Sequence, residues 1–205
     1  MLRKDVDVVI FDAMGVTFKE SDDVNNLLIP FIERECGYED RGAIRQLYAV
    51  ASLGCISSKG FWEQVGCGYP GIERQYLDTQ LIVDPDFIPV AERLKSGYVL
   101  SMLSNDVSEW SAYLRRRFDL DRLFTSVVIS GDYGYRKPDP RLYEILMESL
   151  GITSHRCIFI DDQPRNLDTA VRLGIKTVYR LQGVSRAAHR YDYEIETLRD
   201  LLTLL

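Results

Sequence analysis

The sequence predicts an α/β fold, with helices around a parallel sheet and an all-helical segment inserted after the first strand. Three observations predict it. Short apolar runs alternate with helical patterns over residues 87–180, the order that produces right-handed βαβ units and parallel strands. Two of the buried-type runs, Val9-Ile10-Phe11 and Ile158-Phe159-Ile160, deliver carboxylates at their ends, Asp12 and the pair Asp161-Asp162. Between the first strand and the second, about 60 residues carry helical spacing and no strand signal.

Residues 6–11 read as a buried strand, rich in Val and Ile, and a loop follows over 15–23. Val24, Leu27, Leu28, Phe31 and Ile32 fall at helical spacing, with Gly37 as the stop. A second helix carries Ile44, Leu47, Tyr48 and Ala51. Ser57 or Ser58 caps a third, with Phe61, Trp62 and Val65. A fourth covers 71–82 after Pro70. Helix 87–95 leads to strand Tyr98–Leu103, which ends in Ser104-Asn105. Helix 107–117 follows with Asp106 or Ser108 as its cap. Strand 124–129, a turn-rich stretch Ser130–Asp139, and a helix over 139–149 ending at Gly151 come next. Strand 156–160, helix 164–173 with its stop at Gly174, strand 175–180 and a last helix over about 192–204 complete the pattern. No internal repeat, low-complexity segment or long linker interrupts it.

A chain of 205 residues suits one domain, or a domain with a smaller one inserted. The formal net charge of −6 argues against non-specific nucleic-acid binding, and the basic run Arg115-Arg116-Arg117 reads as a solvated helix face. Cys36, Cys55, Cys67 and Cys157 form no CxxC pair. With only His155 and His189, neither a histidine metal cluster nor a Ser-His-Asp triad is supported. No leader-like segment and no long apolar span is present, so the expectation is a cytoplasmic, reduced protein with no membrane partner.

Four places carry residues suited to chemistry. Asp12 ends a central strand, where such sheets bind ligands; it suits a nucleophile or a metal ligand, against the plainer reading of a turn cap. Ser104-Asn105-Asp106 sets a hydroxyl and an amide at a helix start, a combination that suits an anion or serves as an ordinary N-cap. Lys137, in Arg136-Lys137-Pro138-Asp139-Pro140, is followed by two prolines that restrict the backbone at the next helix start, which aims one cation at the strand ends or leaves an exposed turn lysine. Asp161-Asp162 places two acids together, which is costly unless a cation or hydrogen bonds stabilise them. Oxygen-only ligands favour Mg²⁺ over zinc, and Asn166 is spaced to support that ligand shell.

In that order the residues resemble the motifs of the haloacid dehalogenase superfamily, nearly end to end. Asp12 matches its nucleophilic aspartate and Val16 the last position of the first motif. Ser104 matches the second motif, Lys137 the third, and Asp161-Asp162 the acidic fourth. Residues 19–84 resemble its helical C1-type cap, leaving 1–18 and 85–205 as a Rossmann-like core. The resemblance implies a hydrolase that forms an aspartyl-phosphate on Asp12, acting on a small soluble phosphorylated substrate. It implies Mg²⁺ held by Asp12, the Met14 carbonyl and Asp162, with Asp161 in support. Ser104, Asn105 and Lys137 would hold the transferred group.

The chain departs from the pattern at Met14, where phosphatases of this type carry a second aspartate that protonates the leaving group and activates water. Methionine does neither, and general acid–base help of this kind is worth about 10²–10⁴ in rate. Its backbone carbonyl remains available to a metal. In 2-haloacid dehalogenases, which use no metal, that aspartate is also missing; Asn105 and Tyr143 resemble that branch and Arg41 lies where its cap arginine is found, but the acidic Asp161-Asp162 argues against it. Arg41 reads more simply as an exposed helix residue. Phosphonoacetaldehyde hydrolases, with a cap lysine, are a further comparison; Lys59 reads more simply as a solvated helix start. A non-catalytic binding protein on the same scaffold is the third reading.

Overall fold

The computed structural model describes residues 5–183 and 190–205; residues 1–4 and 184–189, among them His189, lie outside the described residues. Six parallel strands form one sheet: β1 (Val8–Phe11), β2 (Val99–Ser104), β3 (Ser126–Ile129), β4 (Cys157–Asp161), β5 (Lys176–Arg180) and β6 (Tyr193–Ile195), in the order β3-β2-β1-β4-β5-β6. β1 is central. Phe11 is in register with Met102 on one side and Ile160 on the other, so the strands on either side end level with it. The order reverses at β1, which opens a crevice beyond the carboxyl ends of β1 and β4.

Side chains alternate between the two faces, as the pleat requires. Val8 and Ile10 pack with Leu142, Tyr143, Leu146 and Leu167 of helices α8 (Pro140–Leu150) and α9 (Pro164–Arg172). Val9 and Phe11 face the other way, toward α5 (Phe87–Leu94) and α6 (Ser108–Arg117). Both faces are therefore covered, which explains why the strands read as continuous apolar runs rather than alternating ones.

Between β1 and α5 lie a π-helical turn (Val24–Leu28) and four helices: α1 (Ile29–Cys36), α2 (Arg41–Ala51), α3 (Ser58–Gln64) and α4 (Ile72–Gln80). Their ends follow the sequence signals. Ser57 caps α3 through Gly60 N–H, at 3.1 Å, and Gly37 ends α1 at φ 66°. Phe61, Trp62 and Tyr76 surround Trp110 of α6 at ring separations of 5.4, 5.8 and 5.6 Å, and Trp110 Nε1 donates to Glu73 at 2.9 Å. The chain leaves the sheet and returns to it along a paired crossing: Lys19 N–H donates to Ile82 O (2.9 Å) and Asp84 N–H to Thr17 O (3.0 Å). Arg180 of β5 fastens both sides of that crossing, donating to Val16 O (2.8 Å) and to Asp84 Oδ2 (2.6 Å).

Four expectations are corrected. The last helix over 192–204 is instead β6, followed by a 3₁₀ turn (Leu198–Asp200) and α10 (Leu201–Leu204); Ile195 seats inward and pairs beside Arg180, and the Thr197–Asp200 capping box starts the helix only afterwards. The turn-rich stretch after β3 begins with a short helix, α7 (Ser130–Tyr133), closed by Gly134 at φ 74°. Neither Asp106 nor Ser108 is the N-cap of α6; Val107 holds that position, and the Asp106 carboxylate accepts from Val107 N–H at 2.7 Å. Cys36 and Cys67 form a disulfide with Cα atoms 5.4 Å apart, against the expectation of a reduced chain; Cys55 and Cys157 are free. No helix among the described residues is long and apolar enough to cross a membrane.

Candidate active site

The strand ends converge as the alternating pattern predicts. Asp12, one residue past β1, Asp161 at the tip of β4 and Asp162 beside it bring carboxylate oxygens within 4.8 Å of one another. Lys137, on the loop between α7 and α8, reaches into this group from below the surface. Its Nζ lies 2.7 Å from Asp12 Oδ1 and 2.8 Å from Asp161 Oδ2, and its side chain is 1% exposed. Burial pulls the Lys137 pKa down, but Asp12 and Asp161 more than offset it, so the ammonium is held charged.

Each group is held by its neighbours. Asp12 Oδ1 also accepts from Ala13 N–H at 2.6 Å. Asn105 clamps the backbone of Lys137 from both ends: its Oδ1 accepts from Lys137 N–H at 2.7 Å, and its Nδ2 donates to Lys137 O at 2.9 Å. Asp161 is saturated. Gln163 N–H reaches its Oδ1 at 2.7 Å, and Asn166 Nδ2 lies 3.2 and 3.0 Å from its two oxygens. Asp162 is not. Ser21 Oγ donates to Asp162 Oδ2, and Asp162 Oδ1 is buried with no hydrogen-bond partner.

One cavity of about 310 Å³ joins these groups, with Asp12, Met14, Ser104, Lys137 and Asp162 on its walls. No hydrogen bond reaches the Met14 carbonyl from a described residue. Gly15, at φ 74°, is required twice over: a Cβ there would lie 2.2 Å from Asp162 Oδ2.

The electrostatics call for a cation. Burial pushes the Asp12 carboxyl well up, with Asp161 and Asp162 adding to it and Lys137 opposing. Burial and Asp161 push Asp162 up to about 6. Three acids around one ammonium leave an excess of negative charge in a site largely closed to water, and the free Asp162 oxygen is the natural place for a positive ligand.

Every predicted residue that bears on this site, Asp12, Met14, Ser104, Asn105, Lys137, Asp161, Asp162 and Asn166, is brought to it. Arg41 is not: it is paired with Glu33 on the surface, its Nε 2.5 Å from Oε1. Lys59 is exposed beside Glu63. Phe61 and Trp62 are buried in the aromatic cluster, whereas Tyr48 lines the cavity. Sequence reasoning missed Ser21, Asp23 and Arg136, which also line the cavity. They sit on loops with no periodicity to betray them; for Arg136 the adjacent Lys137 was the only signal.

A family model for haloacid dehalogenase-like hydrolases matches residues 6–174. The chain belongs to that family. Among curated haloacid dehalogenase-like relatives, an (S)-2-haloacid dehalogenase from Burkholderia cepacia is 30% identical over 121 residues, 58% of this chain and 51% of that protein. A GMP/IMP nucleotidase from Escherichia coli is 30% identical over 118 residues, 57% of this chain and 53% of that one. The matches thus span about half the length of these relatives. A HAD family enzyme from Bacteroides thetaiotaomicron, solved with magnesium and inorganic phosphate, superposes with a TM-score of 0.75 at 20% identity, covering 89% of this chain and 98% of that one; at such identity the likeness is one of fold. The parallel α/β core stands on the sheet and on this likeness of fold. Phosphatases and a dehalogenase are both among the relatives.

Proposed function

We propose that this chain is a Mg²⁺-dependent phosphatase that transfers the phosphoryl group of a small phosphorylated molecule to Asp12. One observation carries the reading: Asp162 Oδ1 is buried without a partner beside Asp12 and Lys137, so a cation position and an anion position adjoin the same carboxylate. The donor set fits Mg²⁺, being oxygen only. Asp12, the Met14 carbonyl and Asp162 would hold the ion; Asp161, saturated by Lys137, Gln163 and Asn166, supports them. Held by these residues, such an ion would supply charge neutralisation for the phosphoryl group.

The remaining roles belong to the chain. Asp12 attacks phosphorus, and Lys137 and Ser104 hold the equatorial oxygens, since phosphoryl transfer needs positioning and charge neutralisation above all. Asn105 acts through Lys137, whose backbone it fixes. Residues 19–84 form a cap over a core of residues 1–18 and 85–205; the crossing of 17–19 with 82–84 supports that division. A cavity of this size with helices above it favours a small substrate over a polymer.

Turnover of acetyl phosphate or p-nitrophenyl phosphate that requires Mg²⁺ and is lost in Asp12→Asn is the expected result. Folded protein with no turnover of either removes the reading. Met14, Asn105 and Tyr143 favour a 2-haloacid dehalogenase as the second reading. Halide release from 2-chloropropionate in the presence of EDTA would establish it. The position of Arg41, paired on the surface, and the unpartnered Asp162 oxygen both weigh against that outcome.

A further inference from the structure

With methionine at position 14, the proposed phosphatase lacks a proton donor on the strand side of Asp12. The cavity contains a second carboxyl that the mechanism above does not use. Asp23 precedes the π-helical turn Val24–Leu28, in the N-cap position, yet its side chain makes no capping hydrogen bond. It is 8% exposed and lines the same cavity as Asp12 and Met14. No described lysine or arginine comes within ion-pair distance of it. A buried acid with no counter-ion among the described residues, its carboxylate met by the backbone N–H groups of Val24 and of its own residue, is costly to keep, and such groups mark functional sites.

We propose that Asp23 is the general acid and base of this enzyme, supplied by the segment over the cavity in place of the carboxyl missing at position 14. The inference rests on the phosphatase reading. Transfer in line puts the leaving oxygen on the far side of phosphorus from Asp12. An Asp12 oxygen forms the new bond to phosphorus. The bond from phosphorus to the ester oxygen breaks, its electron pair stays on that oxygen, and the Asp23 carboxyl proton moves to it, so a neutral alcohol departs. A water then attacks phosphorus and gives its proton to the Asp23 carboxylate. The bond to Asp12 breaks, phosphate leaves, and both carboxyls return to their starting states.

The surroundings suit the role. Asp22 and Glu20 lie on the same segment; Asp106 faces Asp23 from the loop after β2, and Tyr48 of α2 and Tyr76 of α4 face it from the helices. Arg136 stands over the Tyr48 ring at 5.6 Å and is drawn toward Asp106. Burial and Asp22 together push the Asp23 carboxyl up to about 7, where a proton is both given and recovered near neutrality.

The test compares wild type and Asp23→Asn, with Mg²⁺, on 2,4-dinitrophenyl, p-nitrophenyl, phenyl and propyl phosphates. The readout is kcat/KM, which reports the first transfer. Loss of the acid is expected to cost about 10²-fold or more on propyl phosphate and far less on the dinitrophenyl ester, whose leaving group departs without a proton. The basic limb of the pH profile disappears in Asp23→Asn. In Asp22→Asn, which removes a neighbouring charge, that limb persists and moves to lower pH. Met14→Asp in the Asp23→Asn background restores propyl phosphate turnover. Equal losses across the series, or an unmoved limb in both variants, overturn the role of Asp23 while leaving the phosphatase standing. Absence of wild-type turnover on the whole series overturns the phosphatase itself. Should Asp23→Asn not fold, the Asp22→Asn limb and the wild-type solvent isotope effect decide: the proposal requires an effect on propyl phosphate that is absent for the dinitrophenyl ester.

Discussion

Replacing Asp106 by asparagine should make the protein more stable in alkaline solution and leave it unchanged in acid. Asp106 is 3% exposed, and burial followed by the nearby Asp23 pushes its carboxyl from 3.8 up to about 8. Between those two values the native state holds a proton that the unfolded chain has released. Stability therefore falls as pH rises through the window: the contribution is complete below about pH 4 and gone above about pH 8. About four units of separation correspond to at most roughly 5 kcal/mol, and water drawn in around the ionised group lowers the realised figure. Asparagine carries no charge at any pH and keeps an oxygen to accept from Val107 N–H, the bond that Asp106 Oδ1 makes at 2.7 Å. Urea unfolding of both proteins in EDTA, at pH 4.5, 6, 7.5 and 8.5, measures the difference. We expect a gain above about 1 kcal/mol at pH 8.5 and a difference that narrows steadily as the pH falls to 4.5. Parallel profiles for the two proteins would refute the reasoning, because they would mean that Asp106 ionises alike in both states.

Three further outcomes follow from the same structure. Asp162→Ala should remove the Mg²⁺-dependent rise in melting temperature, read by differential scanning fluorimetry, since it deletes the unpartnered carboxylate oxygen that lies beside Asp12. Arg180→Ala should destabilise by about 3–5 kcal/mol in urea unfolding, because it leaves Asp84 buried and unpaired; Arg180→Ala paired with Asp84→Ala should recover part of that loss. Alkylation of the denatured, unreduced protein should label two cysteines, Cys55 and Cys157, and four after reduction, as mass spectrometry would count.

What the sequence disclosed tracks what is local. Apolar runs marked β1, β2, β4 and β5 because both faces of those strands are covered. Helix ends were readable at Ser57, Asp139, Gly37 and Gly151, where side chain or φ does the capping within a few residues. The acids and Lys137 were readable because each ends a strand or opens a helix. Features set by distant pairing were not. β6 is short and half-buried, held by β5 rather than by its own pattern. The disulfide joins residues 31 apart with no spacing motif. Asn105 looked like an anion donor, yet its amide spans the backbone of a residue 32 positions later. Asp23 carried no signal at all, since only the cavity reveals that an acid in a polar loop is buried.

Arg180 has a mechanical consequence. A guanidinium planted on the sheet grips both the outgoing and the returning strand where they touch, so the two crossings of the chain are fastened at one point. Ser21, near the outgoing edge, is bonded to Asp162, while Tyr48, farther along the inserted helices, donates to Asn105 O at 3.2 Å, so the helical segment meets the core at the cavity as well as at Arg180.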